Sequence, residues 1–164
     1  YLKAAPGRMQ TVYGHPKGAR VVVDYAHTPD AIEKALAALR PQCRGELICI
    51  VGCGGDRDSG KRAQMGRAAA KGSDRVWFTS DNPRSEDPER ILADMAHGLE
   101  LPNSQRVRSE VNRAEAIAVA LQSADPDDIL LIAGKGHEQT QEINGEFIPF
   151  SDFTVVHDIQ GENN

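Results

Sequence analysis

Short, continuous apolar runs alternate with helical patterns along this chain, and that alternation constrains its fold more than any other feature. Four runs have the character of buried strands: Ala19–Tyr25, Glu46–Gly52, Asp74–Ser80 and Asp128–Ala133. Each run is aliphatic or β-branched and is flanked by glycine or polar residues, as is typical of parallel strands covered on both faces. The runs therefore predict an α/β fold with a mostly parallel sheet and helices on both of its faces.

Signals for helix starts fall between these runs. Thr28 and Asp87 are each followed by proline, a pairing typical of a helix cap and the first helical position. Asn112 precedes Glu115 in a variant of the capping box. A further helix is expected from about Lys61 to Lys71, after the second strand.

The two ends of the chain add smaller elements to this plan. We expect an edge strand at Met9–Tyr13, a hairpin at Glu142–Pro149 and a last helix at Ser151–Ile159. The expected organisation is a linker over 1–7, a Rossmann-like domain over 8–160 and a tail over 161–164. Because the chain opens on a linker-like stretch without an initial Met, we expect it to be one piece of a larger protein.

Composition and charge exclude several classes of function. The chain has 164 residues and a formal net charge of -5, which suits one domain and gives no global attraction to nucleic acid or anionic lipid. Its three cysteines are odd in number and form no C-x-x-C pair, so reduced thiols of a cytoplasmic protein are expected, without a zinc site. No stretch is long and apolar enough to predict a membrane span. We expect small-molecule partners and a monomer.

Polar and glycine-rich strings follow all four predicted strands. They are Asp24–His27, Gly52–Asp58, Ser80–Arg84 and Gly134–Glu138. In open α/β sheets, ligands bind beyond the carboxyl ends of the strands, and these four strings share that edge. Any one of them is compatible with a solvated loop, but the four together predict a binding site.

One string has the frame of a phosphate-binding loop. Gly55–Lys61 matches G-x-x-x-x-G-K between a strand and a helix. The position that should hold a magnesium-binding hydroxyl is Arg62, and the charges of Asp56 and Asp58 oppose a phosphate. The frame therefore favours a glycine-rich turn, from which Arg57 is expected to point into the site as a carboxylate clamp.

The string Asp81-Asn82-Pro83-Arg84 carries the groups needed to hold an amino-acid head group. Arginine binds a carboxylate through a planar fork, asparagine both donates and accepts, and aspartate accepts from an ammonium. Proline stiffens the turn and lowers the cost of ordering it. Taken alone, the string favours an Asx-Pro turn that carries a surface arginine.

The last string, Gly134–Glu138, allows close approach of the backbone through its two glycines, and Glu138 is suited to hold an ammonium. Lys135 and His137 are left without a role. Asp24 and His27 are suited to orient a phosphate or a metal ligand, although such a pair more often pins the turn into the next helix.

Taken in order, these strings, together with Gly60-Lys61-Arg62, resemble the carboxy-terminal domain of the Mur ligases of peptidoglycan synthesis over nearly the whole chain. Within that family, Asp-Asn-Pro-Arg marks the ligases that add meso-diaminopimelate to UDP-N-acetylmuramoyl-L-alanyl-D-glutamate. The resemblance implies that Arg57, Asn82 and Arg84 hold the distal carboxylate, and that Asp81, Gly134 and Glu138 serve the distal amino group. Pro83 belongs to the same pocket. It also implies, less directly, that Arg8, Asp24 and His27 lie near the nucleotide phosphates or the reacting carboxyl.

The family's reaction is ATP-dependent amide formation through an acyl phosphate. In the family, ATP and Mg²⁺ bind mainly to a central domain and the UDP portion to an amino-terminal domain, and no metal site is expected here. The chain alone is therefore expected to be inactive.

Three other functions stay open. One is a folylpolyglutamate synthetase or another Mur ligase, which would share the fold. The second, from a different class, is a stand-alone nucleotide-binding module that uses Gly55–Lys61. The third is a regulatory domain that binds a small molecule without catalysis.

Overall fold

The computed structural model describes residues 8–99 and 106–162, which form an α/β domain. Its strands are β1 (Gln10–Val12), β2 (Arg20–Asp24), β3 (Leu47–Val51), β4 (Arg75–Thr79), β5 (Val107–Glu110), β6 (Ile129–Ala133), β7 (Thr140–Ile143) and β8 (Glu146–Pro149). Its helices are α1 (Pro29–Leu39), α2 (Gly60–Gly72), α3 (Pro88–Ala96), α4 (Arg113–Ser123) and α5 (Asp152–Glu162), with a short 3-10 turn at Arg40–Gln42.

Six strands form the main sheet in the order β1-β2-β6-β3-β4-β5. β1 runs antiparallel to β2, and the other four pairings are parallel. β7 and β8 pair with each other as a separate antiparallel hairpin. All the parallel strands therefore end at one edge of the sheet, and their following loops meet there.

Side chains along the buried strands alternate between the two faces of the sheet and contribute to a separate hydrophobic core on each face. On β2, Val22 packs with α1, α2 and α3, while Val21 and Val23 pack with α4 and α5 on the opposite face. Because both faces are covered, the strand side chains on each face are apolar, which explains the continuous apolar runs in the sequence. The expected mostly parallel sheet with helices on both faces and a carboxy-terminal hairpin is confirmed.

The local signals for helix starts are confirmed as caps. The side chains of Thr28, Asp87 and Asn112 accept hydrogen bonds from the backbone N–H groups of the first turns of α1, α3 and α4. Each cap satisfies a donor that the helix itself leaves free, so the chain turns sharply from loop to helix at these three positions.

Three details differ from the sequence expectations. β5 was not predicted: it is an edge strand, with a single paired neighbour, and three of its four residues are polar. The hairpin begins at Thr140, two residues before the expected start. The last helix continues through Glu162, so Gly161 and Glu162 are helical rather than part of a tail. The expected linker over 1–7 and residues 163–164 lie outside the described residues.

Candidate functional site

A cleft of about 480 Å³ opens at the edge where the parallel strands end. It is bordered by the loops that follow β2, β3, β4 and β6. Of the candidate residues from the sequence, the cleft wall includes His27, Arg57, Asp81, Asn82, Arg84, Gly134 and Glu138. Residues from four separate strings therefore share one cavity, as the topology of the strand ends predicts.

The turn Asp81–Arg84 is held from behind by the β7–β8 hairpin. The backbone N–H of Arg84 donates to the carbonyl of Glu142 at 2.9 Å, and the N–H of Asn144 donates to the carbonyl of Arg84 at 2.8 Å. Arg84 adopts a φ of 54°, the left-handed region that side chains rarely occupy. The hairpin thus stabilises a strained turn, and strain of this kind is typical of binding sites.

The guanidinium of Arg84 is oriented by two partners that leave it half-buried at the cleft. Its Nη1 donates to the carbonyl of Gly55 at 2.9 Å, and its Nε lies 3.3 Å from Oε1 of Glu142. Since these contacts engage Nη1 and Nε, the N–H groups of Nη2 are available to a ligand.

Glycine is required where the loop after β3 meets this turn. A Cβ on Gly55 would lie 1.8 Å from the carbonyl oxygen of Pro83, and a Cβ on Gly54 would lie 2.7 Å from Nη1 of Arg84. Pro83 itself is buried and does not line the cleft. Its position favours a structural role, in which it stiffens the turn where the turn meets Gly52–Asp58, the loop after β3, hereafter the glycine loop.

Lys135 is a buried cation that sequence reasoning left without a role. Its side chain is 0% exposed, and its Nζ donates to Oδ1 of Asn82 and to the carbonyl of Thr140, both at 3.0 Å. Its Nζ also lies 3.3 Å from Oδ1 of Asp81 and 3.5 Å from Oε1 of Glu138. The contact with Asp81 is an ion pair without hydrogen-bond geometry, since that oxygen is buried and makes no hydrogen bond among the described residues.

In the segment that matches a phosphate-binding loop, a side chain of the loop itself binds a backbone N–H group that a phosphate would need. Oδ1 of Asp58 accepts from the N–H of Gly60 at 2.9 Å, at the start of α2 where a phosphate would sit. Lys61 and Arg57 are exposed at the cleft rim. The structure thus supports the glycine-rich turn and places Arg57 at the site.

Arg62, which stands where a magnesium-binding hydroxyl would be needed, is a structural anchor. It is 2% exposed and forms a fork with Glu86, with N–O distances of 2.8 and 3.0 Å. The same guanidinium contacts Asp94 at 2.9 Å and the carbonyl of Gly54 at 3.2 Å. The hydrogen bond from Arg62 lowers the pKa of Glu86 to about 2. Through the contact with Gly54, this network holds the glycine loop in place.

A cation–π contact and a ring–ring contact join Arg8, Tyr25 and His27. The guanidinium of Arg8 lies 5.7 Å from the ring centroid of Tyr25, and the Tyr25 and His27 rings are 4.7 Å apart. Tyr25 and His27 line the cleft, whereas Arg8 lies outside its wall. Nδ1 of His27 lies 2.9 Å from the carbonyl of Tyr25. A carbonyl only accepts, so Nδ1 carries the proton and Nε2 is the nitrogen left for a ligand.

Asp24 also lies outside the cleft wall, because its carboxylate is engaged by the backbone. Its two oxygens accept from the N–H groups of Met9 at 2.7 Å and Ala26 at 2.8 Å. Asp24 therefore joins β1 to the end of β2 and sets the direction of the loop that carries His27. Asp24 was expected either to orient a phosphate or metal ligand or to fix the turn into the next helix. The geometry favours the second interpretation.

A fully buried ion pair ties the strand ends together beneath the site. Arg113 and Asp152 are both 0% exposed and form two hydrogen bonds at 2.8 and 2.9 Å. The same guanidinium donates to the carbonyls of Ser80 and Ala133, the residues directly before two of the site loops. Only the cap at Asn112 was visible in the sequence here. The burial of Arg113 depends on α5, which is 39 residues away.

Among the described residues, no group of three or more His, Cys, Asp or Glu side chains is arranged to hold a metal ion. No helix in the described part of the chain has the length and apolarity to cross a membrane.

Comparison with known proteins gives consistent matches. The family model for the Mur ligase, glutamate ligase domain, matches residues 7–136. A UDP-N-acetylmuramoyl-L-alanyl-D-glutamate–2,6-diaminopimelate ligase from Coxiella burnetii is 52% identical over 151 residues, which are 92% of this chain and 30% of that protein. The chain therefore spans about a third of the length of the relatives that it matches.

Solved structures separate the near from the distant neighbours. A structure of a UDP-N-acetylmuramoyl-L-alanyl-D-glutamate–2,6-diaminopimelate ligase superposes with a TM-score of 0.90 at 45% identity, covering 99% of this chain and 33% of that one. A bifunctional folylpolyglutamate synthase/dihydrofolate synthase from Yersinia pestis, complexed with AMPPNP and a Mn ion, gives a TM-score of 0.60 at 22% identity, covering 98% and 32%. The second likeness extends to the fold alone.

Proposed function

This chain belongs to the Mur ligase family, and from that premise we propose that it is the domain that binds meso-diaminopimelate in an ATP-dependent ligase of peptidoglycan synthesis. The observation that carries the proposal is the cleft itself. Three groups suited to a carboxylate, on Arg57, Asn82 and Arg84, share it with two carboxylates, on Asp81 and Glu138. The similarity to diaminopimelate ligases at 52% identity supports the same choice.

The charges of the cleft match the distal head group of diaminopimelate. That head group carries one carboxylate and one ammonium on a single carbon. The guanidinium of Arg84 offers its free N–H groups to the carboxylate, with Arg57 at the rim as a second clamp. Glu138 and Gly134 also line the cleft, and we assign the ammonium to them. Arg8 and Asp24 act from outside the wall, by stacking on Tyr25 and by orienting the His27 loop.

Selectivity against lysine follows from the missing distal carboxylate. Lysine would leave the Nη2 group of Arg84 without a partner in a partly desolvated cleft. The expected penalty is reduced, because Glu142 and the carbonyl of Gly55 already engage Nε and Nη1. We therefore expect discrimination of about 2–3 kcal/mol, the low end of the range for truncated charge pairs.

The role of the domain in the reaction is to position the nucleophile. The γ-phosphate of ATP is transferred to the D-glutamate side-chain carboxylate of the UDP-linked substrate, which gives an acyl phosphate and ADP. The other amino group of the bound diaminopimelate attacks the acyl carbon. Phosphate leaves, the nitrogen loses a proton and the amide forms. The proposed gain from this domain is orientation of that amine.

Binding of ATP, Mg²⁺ and the UDP portion is assigned to parts of the enzyme beyond the third that this chain matches. The proposed partners are thus small molecules. The cytoplasmic location and the monomeric state expected from the sequence stay predictions.

The rival functions have weaker support. The folylpolyglutamate synthase structure shares the fold at 22% identity. A stand-alone nucleotide module would need a hydroxyl at position 62, where Arg62 is instead buried in a network with Glu86 and Asp94.

The proposal is tested with Arg84→Ala in the full-length ligase. We expect kcat/KM for diaminopimelate to fall about 30- to 1,000-fold, which corresponds to losing about 2–4 kcal/mol of charge-assisted binding. Use of lysine, which cannot engage this arginine through a distal carboxylate, should change little. The ratio of the two rates, measured as ADP release, is the readout.

Arg44→Ala is the matched control, because Arg44 is exposed and precedes β3, at the opposite edge of the sheet. It should leave both rates unchanged. If Arg84→Ala retains wild-type use of diaminopimelate and wild-type selectivity, the assignment of the cleft to this substrate is wrong.

A further inference from the structure

We propose that Lys135 is a positioning residue that sets the orientation of the Asn82 amide, so that Asn82 presents only donors to the ligand carboxylate. The inference rests on the proposed function, because it concerns how the cleft recognises diaminopimelate. Lys135 is fully buried and does not reach the ligand itself. Its effect on binding would be transmitted through the groups that it contacts.

The amide of Asn82 has one orientation that satisfies its neighbours. Its side-chain atom Oδ1 lies 3.0 Å from Nζ of Lys135 and 3.0 Å from the backbone nitrogen of Glu142. An ammonium and a backbone N–H can only donate, so the atom that faces both must be the oxygen. The amide nitrogen, with its two N–H groups, is then the end left for the cleft that Asn82 lines.

This orientation gives Asn82 a single polarity. A free asparagine accepts and donates with equal ease, and a rotation of its side chain would turn the oxygen toward the ligand carboxylate. With both acceptor positions of Oδ1 occupied, that rotation would leave a buried ammonium and a buried N–H unsatisfied, which is costly. Lys135 therefore turns an ambiguous amide into a dedicated donor beside Arg84.

The same ammonium also adjusts the charge of the carboxylates next to Asn82. Asp81 and Glu138 both lie within 3.5 Å of Nζ of Lys135. One buried cation between two carboxylates leaves a single net negative charge, which matches the single ammonium of an amino-acid head group.

The test is Lys135→Met in the full-length ligase, with initial rates measured against each substrate in turn. We expect the KM for diaminopimelate to rise about 10- to 100-fold, the effect of misplacing one charge-assisted hydrogen bond. The kcat and the KM for ATP should change by less than about 3-fold, because Lys135 contacts the side chains of Asp81, Asn82 and Glu138, which are proposed to bind diaminopimelate. An unchanged KM for diaminopimelate would overturn the proposal.

A double-mutant cycle with Asn82→Ala separates positioning from general damage. If Lys135 acts through Asn82, the double variant should have nearly the KM for diaminopimelate of Asn82→Ala alone. Independent, multiplying effects would contradict the mechanism. Lys34→Met is the matched control, since Lys34 forms an exposed pair with Asp30 on α1, and we expect wild-type kinetics from it.

Asn82→Asp keeps the test decisive if Lys135→Met does not fold. The aspartate retains an oxygen for Lys135 but presents a second, negative oxygen where the amide N–H groups were. We expect a folded enzyme whose KM for diaminopimelate rises at least about 10-fold. A wild-type KM in this variant would show that the amide nitrogen does not face the ligand, and the proposal would fail.

The wild-type enzyme distinguishes failure of this inference from failure of the proposed function. A wild type that uses another amino acid in preference to diaminopimelate would contradict both the proposed function and the inference about Lys135. A wild type that selects diaminopimelate, combined with an unaffected Lys135→Met variant, would remove this inference only.

Discussion

At the residue scale, three buried cations organise the site, and none was recognisable as buried from the sequence. Arg62, Lys135 and Arg113 each contact groups from separate parts of the chain. Charged residues are seldom fully buried unless they are paired, so a single sequence gives no reason to place them inside. The cleft-lining residues were easier to predict, because they follow predicted strands directly and must therefore share one edge.

The pair between Arg62 and Glu86 predicts a loss of stability in acid. The pKa of Glu86 is lowered from 4.5 to about 2 in the folded protein, so its contribution is complete above about pH 5. The contribution decreases as the pH falls from about 5 to 2, because the unfolded chain binds the proton first. Glu86→Gln should therefore lower the free energy of unfolding by about 1–2 kcal/mol at pH 7, a value discounted for partial exposure, and by almost nothing near pH 2.

Urea unfolding of the wild type and of Glu86→Gln, measured across this pH range, checks the prediction. Glu33→Gln, at an exposed position on α1, is the control and should have little effect at any pH. A constant difference between wild type and Glu86→Gln from pH 7 to pH 2 would show that the pair does not carry this pH dependence.

At the scale of elements, the sequence was most informative where local signals and burial agree. Strands β2, β3, β4 and β6 are buried on both faces, and each was predicted from its apolar run. β5 was missed because an edge strand that faces solvent needs no such run. The role of the hairpin behind Arg84 could not be predicted either, since nothing in its own residues indicates the strand end that it contacts.

Removing one partner of the buried pair between Arg113 and Asp152 should cost far more stability than removing one partner of an exposed pair. Arg113→Met leaves a buried carboxylate and two strand-end carbonyls without their donors, so we expect a loss of about 3–5 kcal/mol. Arg40→Met is the matched control, because Arg40 and Asp74 form a pair whose side chains are 44% and 41% exposed. It should cost less than about 1 kcal/mol.

Chemical denaturation of the two variants under the same conditions provides the comparison. Equal losses for Arg113→Met and Arg40→Met would contradict the view that the buried pair holds the ends of β4 and β6 together.

At the scale of the whole molecule, the proposed function makes this chain one wall of an active site. It matches about 30% of the length of its ligase relatives, and its cleft has groups for the amino-acid head but no group of three or more candidate metal ligands among the described residues. The sequence motifs predict this division of labour through family resemblance. The geometry adds which of the motif residues line the cleft and which lie outside its wall.

The isolated chain is therefore expected to bind diaminopimelate weakly and to catalyse nothing. A half-formed site should give a Kd of about 0.1–10 mM, because the ligand is clamped at one end only. Calorimetry with the chain and with its Arg84→Ala variant measures the binding, and an ADP-release assay should show no turnover. Turnover by the chain alone, abolished by Lys61→Ala, would instead favour the stand-alone nucleotide module.

The close approach of Gly55 to Pro83 has a consequence for protein engineering. Because a Cβ at Gly55 would lie 1.8 Å from the Pro83 carbonyl oxygen, the glycine loop and the turn Asp81–Arg84 have complementary shapes and cannot be redesigned separately. The hairpin and Lys135 hold the same turn from the other side. A new amino-acid specificity would thus require four segments to be exchanged together, rather than a four-residue motif. They are the loop after β3, the turn Asp81–Arg84, the β7–β8 hairpin and the segment that contains Lys135.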